Sequence, residues 1–102
     1  HMSKQSTFSE VKETIFPTLE QYVPIVARVH GKNHPEFHEV HQIVTALIAK
    51  TKIADTEKPD LKEEFIKLRD VSNNYTVPDD VCESYEAVYK MLGELDEAYQ
   101  TD

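Results

Sequence analysis

The sequence predicts an all-α fold, an antiparallel four-helix bundle packed around one core. Apolar residues recur at steps of three and four along four separate segments, which is the spacing of one helix face. The chain has only two glycines, and so few permissive residues argue against the many tight turns of an all-β fold. A length of 102 residues suits a single domain. His1 and Met2 resemble the remnant of a purification tag, so we expect the domain to span residues 3–102.

The first helix is expected over Phe8–His30. Thr7 and Glu10 have the spacing of a capping box. Pro17 and Pro24 each lack an amide donor, so we expect the helix to kink or break near one of them. The predicted apolar stripe comprises Phe8, Val11, Ile15, Leu19, Tyr22, Val26 and Val29.

The second and third helices are shorter. The second is expected from Pro35 to about Ile53, capped by Asn33 or His34, since proline is favoured in a first turn. A polar loop follows, and the third helix is expected to begin at Asp60 and to end before the run Ser72-Asn73-Asn74.

The last helix is expected to open at Thr76–Pro78. Asp79 and Asp80 would then lie in its first turn, where the helix dipole favours negative charge. Its core-facing seam follows a strict heptad-like spacing and comprises Val81, Tyr85, Val88, Leu92, Leu95 and Tyr99, with Tyr89 to its side.

Charge and composition exclude several classes of partner. The formal net charge of −8, with no basic cluster, argues against nucleic acid and anionic membrane surfaces. No apolar run approaches the roughly 20 residues of a membrane-spanning helix. The single cysteine, Cys82, cannot form an intrachain disulfide, which is typical of a reducing compartment, so we expect a cytoplasmic protein.

Histidines are concentrated in one short stretch that holds His30, His34, His38 and His41. On one helix, His34 and His38 are a turn apart, so their imidazoles could chelate one metal ion, with Glu36 and Glu39 as additional oxygen ligands. The simpler interpretation is a polar helix shoulder that faces solvent, because metal sites in bundles draw ligands from several helices. Weak metal binding and a true site remain the alternatives.

No catalytic residue is predicted. Cys82 is placed in the first turn of the last helix, where a thiolate is favoured, but a catalytic cysteine needs a neighbouring base and the sequence places none nearby. An incidental thiol is the preferred interpretation. Phosphate loops, HExxH motifs and serine elbows are all missing from the sequence.

Two stretches carry a resemblance to a known family. They are FPTLEQYVPIVARVHGKNHPEF, which spans Phe16 to Phe37, and KLRDVSNNYTVPDDVCESYEAVYKMLGELDE, which spans Lys67 to Glu97. Both are similar to segments of the hemerythrin-like iron-sulfur cluster repair proteins. The resemblance implies a hemerythrin-like four-helix bundle, a non-haem di-iron centre held by histidines and glutamates from all four helices, and a role in restoring clusters damaged by nitric oxide or oxidants.

Most of that family's iron ligands are missing from this sequence. His30 matches the histidine of the Val-His-Gly motif. The other ligand positions that can be traced fall at about Ser9, Lys58 and Asp102. A di-iron centre needs about six protein ligands. We therefore expect a ligand-depleted member, either a short paralogue or a truncated fragment, without a resident cofactor unless iron binds elsewhere.

Two functions follow from these expectations. The first is a binding or regulatory module in the nitrosative or oxidative stress response, whose partner is a second copy, a full-length relative or another repair protein. The alternative is a small iron- or zinc-binding protein that uses the cluster from His30 to His41. An enzyme is the least supported class, because no nucleophile with a partner base is visible.

Overall fold

The computed structural model describes residues 7–55 and 57–101. They form four α-helices, α1 (Phe8–His30), α2 (Glu36–Ala54), α3 (Lys62–Val71) and α4 (Glu83–Thr101), and no β-strand occurs within these ranges. The predicted all-α four-helix bundle is confirmed. His1 and Met2 lie outside the described residues.

The helices pack as antiparallel neighbours. α1 packs against α2 and α4, and α2 packs against α3. At one end of the bundle the ring of Phe8, the first residue of α1, lies 5.4 Å from that of Tyr99 near the end of α4. At the other end His30, the last residue of α1, contacts Cys82 just before α4. We call this second end, where the α1–α2 turn and the α3–α4 connection meet, the His30 end.

The predicted boundaries of α1 are confirmed. The Glu10 amide donates to Thr7 Oγ1 at 3.2 Å, and the Thr7 amide donates to Glu10 Oε1 at 2.9 Å, so the capping box is formed. The helix continues through Pro17 and Pro24 without a break. Both prolines lie on the exposed side, where carbonyl groups left without an amide partner can be hydrated.

Val29 was predicted to lie in the apolar stripe of α1, but its side chain is 62% exposed. The face that packs against α2 and α4 is centred on Leu19 and Val23, and Val29 points about 100° away from it at 100° per residue. His30 lies on the buried face, one turn beyond Val26.

The predicted side-chain cap of α2 is wrong. Pro35 occupies the N-cap position, and no side-chain hydrogen bond caps this helix. His34 instead directs its imidazole to carboxylates. This leaves the α1–α2 turn compact, with the His34 amide donating to the His30 carbonyl at 2.8 Å.

α3 begins at Lys62, two residues later than predicted. The cause is Tyr99, whose hydroxyl accepts the Leu61 amide at 2.8 Å and donates to the Pro59 carbonyl at 2.9 Å. The two hydrogen bonds attach the loop before α3 to the end of α4.

α4 begins at Glu83, so the prediction that Thr76–Pro78 open it is wrong. Asp79 and Asp80 form a turn before the helix, and the first intrahelical bond runs from the Glu86 amide to the Cys82 carbonyl at 3.2 Å. The Asp80 carboxylate is bound by His34 instead of facing the α4 amides. The connection therefore crosses the His30 end before the helix starts.

The core is a single apolar cluster to which all four helices contribute. The predicted seam is confirmed for Tyr85, Val88, Leu92 and Leu95, which are fully buried. Tyr89, expected beside the seam, is also buried at 2% exposure. Its ring is stacked with that of Phe37, with centroids 6.1 Å apart.

A buried carboxylate joins α3 to α4. Asp96 is 2% exposed and accepts hydrogen bonds from Arg69 Nε at 2.8 Å, the Tyr75 hydroxyl at 2.8 Å and Gln100 Nε2 at 2.9 Å. Burial raises the pKa of the Tyr75 hydroxyl, and the hydrogen bond to Asp96 raises it further. The contact fixes the start of the connection that leads to Asp80.

Candidate functional site

The His30 end carries a cluster of ionisable side chains that we call the end cluster. It comprises His30, His34, Glu36, Asp80 and Cys82. Three stretches of the chain supply it: the last residue of α1, the α1–α2 turn with the first residue of α2, and the connection before α4. Helix ends meet here, so these side chains reach one another without crossing the core.

The thiol of Cys82 lies beside an imidazole. His30 Nε2 is 3.1 Å from Cys82 Sγ, although the two residues are 52 positions apart in the sequence. Cys82 is exposed and His30 is half-buried. Depending on the tautomer, either the thiol donates to the ring nitrogen or the ring N–H donates to the sulfur. A nucleophile and a base within hydrogen-bond reach are the elements of an activated thiol.

His34 bridges two carboxylates. Its Nε2 lies 2.8 Å from Asp80 Oδ1, and its Nδ1 lies 3.0 Å from Glu36 Oε2. Hydrogen bonds to Asp80 and then to Glu36 raise the pKa of His34, because the doubly protonated ring can donate at both nitrogens. The hydrogen bond from His34 in turn lowers the pKa of Asp80. His34 thus ties the α1–α2 turn to the α3–α4 connection.

The aromatic ring of Tyr85 packs against both imidazoles. Its ring centroid is 5.5 Å from the His30 ring and 5.5 Å from the His34 ring, in edge-on arrangements. Its hydroxyl lies 3.3 Å from that of Tyr89. Burial raises the pKa of both hydroxyls, so the Tyr85 and Tyr89 side chains are uncharged at neutral pH. The histidines of the end cluster therefore contact an uncharged aromatic ring as well as the polar groups around them.

The remaining predicted metal-ligating residues are His38, His41 and Glu39, which all lie on α2. The His38 imidazole is packed against Gly31, where an added Cβ would come within 2.6 Å of its Cε1 atom. His41 is half-buried further along α2, and Glu39 is exposed. His34 precedes α2 and so does not share a helix face with His38. Across residues 7–55 and 57–101, no group of three or more His, Cys, Asp or Glu residues is arranged to hold a metal ion.

Two described positions at which the sequence resemblance would place further iron ligands are Ser9 and Lys58. Ser9 is exposed in the first turn of α1. Lys58 Nζ donates to the Tyr99 carbonyl at 3.0 Å and lies 4.6 Å from the centre of that ring. Asp102 lies outside the described residues. His30, the one matching position, contacts Cys82.

Two features of the site were missed by sequence reasoning. Cys82 was assigned no neighbouring base, and the His30 imidazole lies 3.1 Å from its sulfur. Asp80 was assigned to a helix N-terminus, and it binds His34. Both contacts join residues that are far apart in the sequence. Patterns of local spacing cannot predict such contacts.

Comparison with known proteins adds no functional assignment. No protein-family model matches the chain, and no curated protein and no solved structure is significantly similar to it. Within the part of the chain that the structure describes, each helix is too short or too polar to cross a membrane.

Proposed function

We propose that this protein is a binding or regulatory module related to the hemerythrin-like iron-sulfur cluster repair proteins, acting in the nitrosative or oxidative stress response without a complete di-iron site. The observation that carries the proposal is the composition of the core. The buried side chains of the bundle interior are aromatic and aliphatic, including Phe37, Phe65, Tyr85 and Leu92.

The side chains present do not fit a di-iron centre. Such a centre needs about six oxygen and nitrogen ligands that project inward from several helices. Among the described residues, the buried polar or charged ones are Thr51, Ser72 and Asp96. Each is occupied by a hydrogen bond to backbone or to a neighbouring side chain. With the bundle interior filled by side chains, the surface and the bundle ends are the parts left for recognition.

A deletion strain of the source organism tests the repair role. We expect the activity of a [4Fe–4S] dehydratase to recover more slowly after a pulse of nitric oxide than in the parent strain. A plasmid copy with His30→Ala is expected to restore recovery as well as the unaltered gene does, because iron ligation by His30 is not part of the role. Equal recovery in parent and deletion strains would contradict the proposal.

A second candidate is a small iron- or zinc-binding protein that uses the cluster from His30 to His41. The specific observation in its favour is the contact between His30 and Cys82, since imidazole and thiolate are the ligands that zinc prefers. This candidate needs His34 or His38 to rotate toward that pair. Anaerobic titration with Fe²⁺ and Zn²⁺ tests it, and stoichiometric binding that is lost in His30→Ala and His38→Ala would replace the first proposal with this one.

A further inference from the structure

We propose that Cys82 and His30 form a reactive thiol site that exchanges with small neutral or cationic disulfides and is thereby modified to a mixed disulfide. The inference does not depend on the proposed repair role. It rests on the 3.1 Å contact between the Cys82 sulfur and the His30 imidazole, on the exposure of the thiol, and on the charges around it.

The geometry provides a proton acceptor at the nucleophile. His30 is held at the end of α1, and its ring edge lies against Tyr85, so the imidazole has a fixed position beside the thiol. Cys82 is at the start of α4, where the helix amides favour an anion. The sulfur is open to solvent, so a small disulfide can approach it. These are the conditions under which a thiolate forms and reacts.

The exchange step balances without any further oxidant. The S–H bond of Cys82 breaks and its proton passes to His30 Nε2. The thiolate attacks one sulfur of the disulfide R–S–S–R, a Cys82–S–S–R bond forms, and the R–S–S–R bond breaks. The leaving R–S⁻ takes the proton from His30 and departs as R–SH. The Cys82 sulfur is oxidised, and the departing sulfur is reduced.

The charges nearby select the disulfide. Asp79 and Glu83 lie within three residues of Cys82 and are exposed, Asp80 is paired with His34, and the chain as a whole carries a formal charge of −8. Exposed carboxylates repel an anionic reagent and attract a cationic one, and salt screens both effects. We therefore assign neutral and cationic disulfides as the preferred partners, with anionic ones disfavoured.

Rates of mixed-disulfide formation test the site. The protein is treated with cystamine, a dication, or with glutathione disulfide, an anion, in the presence of a chelator, and the modified chain is quantified by mass spectrometry. At pH 7 and low salt we expect cystamine to react faster, and the ratio of the two rate constants to fall at high salt. His30→Gln is expected to lower the cystamine rate constant about tenfold, since the thiol then has no base beside it to accept its proton. The control variant Glu13→Gln, at the other end of α1, is expected to leave the cystamine rate constant unchanged.

The unfolded chain keeps the proposal testable if His30→Gln does not fold. At pH 7 we expect the folded, unaltered protein to react with cystamine about tenfold faster than the same protein unfolded in urea, because only the folded state places His30 beside the sulfur. Equal rate constants for the folded and unfolded chain, or a folded His30→Gln variant that reacts as fast as the unaltered protein, would overturn the assignment.

Discussion

His34 is a single side chain that closes the His30 end. Its two ring nitrogens engage Asp80 and Glu36, so the α3–α4 connection is attached to the α1–α2 turn through one imidazole. No backbone hydrogen bond needs to span the two segments for this attachment. The strength of the attachment depends on whether the ring is doubly protonated, which makes it sensitive to pH.

Stability is expected to fall as the pH rises through the pKa of folded His34. That pKa lies above the ordinary histidine value of 6.5, so the folded state binds the proton more tightly than the unfolded chain does. The stabilisation is fully present below pH 6.5 and is lost at higher pH. Urea denaturation of the unaltered protein and of His34→Gln between pH 5.5 and 8.5 checks this.

Substitutions of His34, Asp80 and Glu36 distinguish how much each residue contributes to the pH dependence of stability. His34→Gln is expected to lose this part of the pH dependence, and Asp80→Asn to reduce it more than Glu36→Gln, because the Asp80 hydrogen bond is the larger cause. His41→Gln is the control and should retain the dependence of the unaltered protein. A His34→Gln profile identical to that of the unaltered protein would refute the role of His34.

Asp96 is the residue whose loss should cost most outside the apolar core. Asp96→Ala removes the acceptor shared by Arg69, Tyr75 and Gln100. We expect the free energy of unfolding to fall by about 2–3 kcal/mol, less than for a fully buried pair because Arg69 is partly hydrated. Chemical denaturation measures the change, and the exposed neighbour Glu97→Ala should change it by less than about 0.5 kcal/mol. Equal effects of the two substitutions would contradict the account.

At the scale of elements, helix boundaries are decided by contacts as much as by local signals. α1 starts where its capping box predicts, because Thr7 and Glu10 satisfy each other's backbone donors locally. α4 starts later than its local signals predict, because Asp80 has a stronger partner in His34 than in the helix amides. Left-handed backbone at Asn73, Asn74 and Tyr75, with φ of 52°, 59° and 62°, ends α3 and begins the connection.

The capping box of α1 is expected to be worth about 1 kcal/mol. Thr7→Ala removes the hydroxyl that accepts the Glu10 amide, and the free energy of unfolding should fall by about that amount. Thr45→Ala is a matched control within α2, where the hydroxyl bonds only to the His41 carbonyl and alanine has the higher helix propensity. It should be neutral or slightly stabilising. Equal destabilisation by the two changes would show that the cap contributes nothing specific.

At the scale of the whole molecule, periodicity was enough to predict the fold. The steps of three and four placed Phe37, Leu47, Phe65 and Leu92 on buried faces, and each of them is buried. Short connections then left few arrangements other than an antiparallel bundle. Val29 was misplaced because it points about 100° away from the face that packs against α2 and α4.

The site was less predictable than the fold. Sequence reasoning found His30 and His34 as candidate residues but placed His34 with His38 on one helix face. In the structure His34 precedes Pro35, the N-cap of α2, and the distant partners of the two histidines, Cys82 and Asp80, come from the connection before α4. Such pairings depend on how the helix ends meet in three dimensions. Neither composition nor local spacing carries that information.

The most direct test of the central claim, that side chains alone complete the core, is the thermal unfolding midpoint with and without iron. The protein is purified with a chelator, dialysed, and heated under anaerobic conditions with and without stoichiometric Fe²⁺. A ligand that binds only the folded state raises the midpoint, and a site in the core would raise it strongly. The account predicts a change of less than about 1 °C, whereas a rise of more than about 5 °C, abolished in His30→Ala, would contradict it.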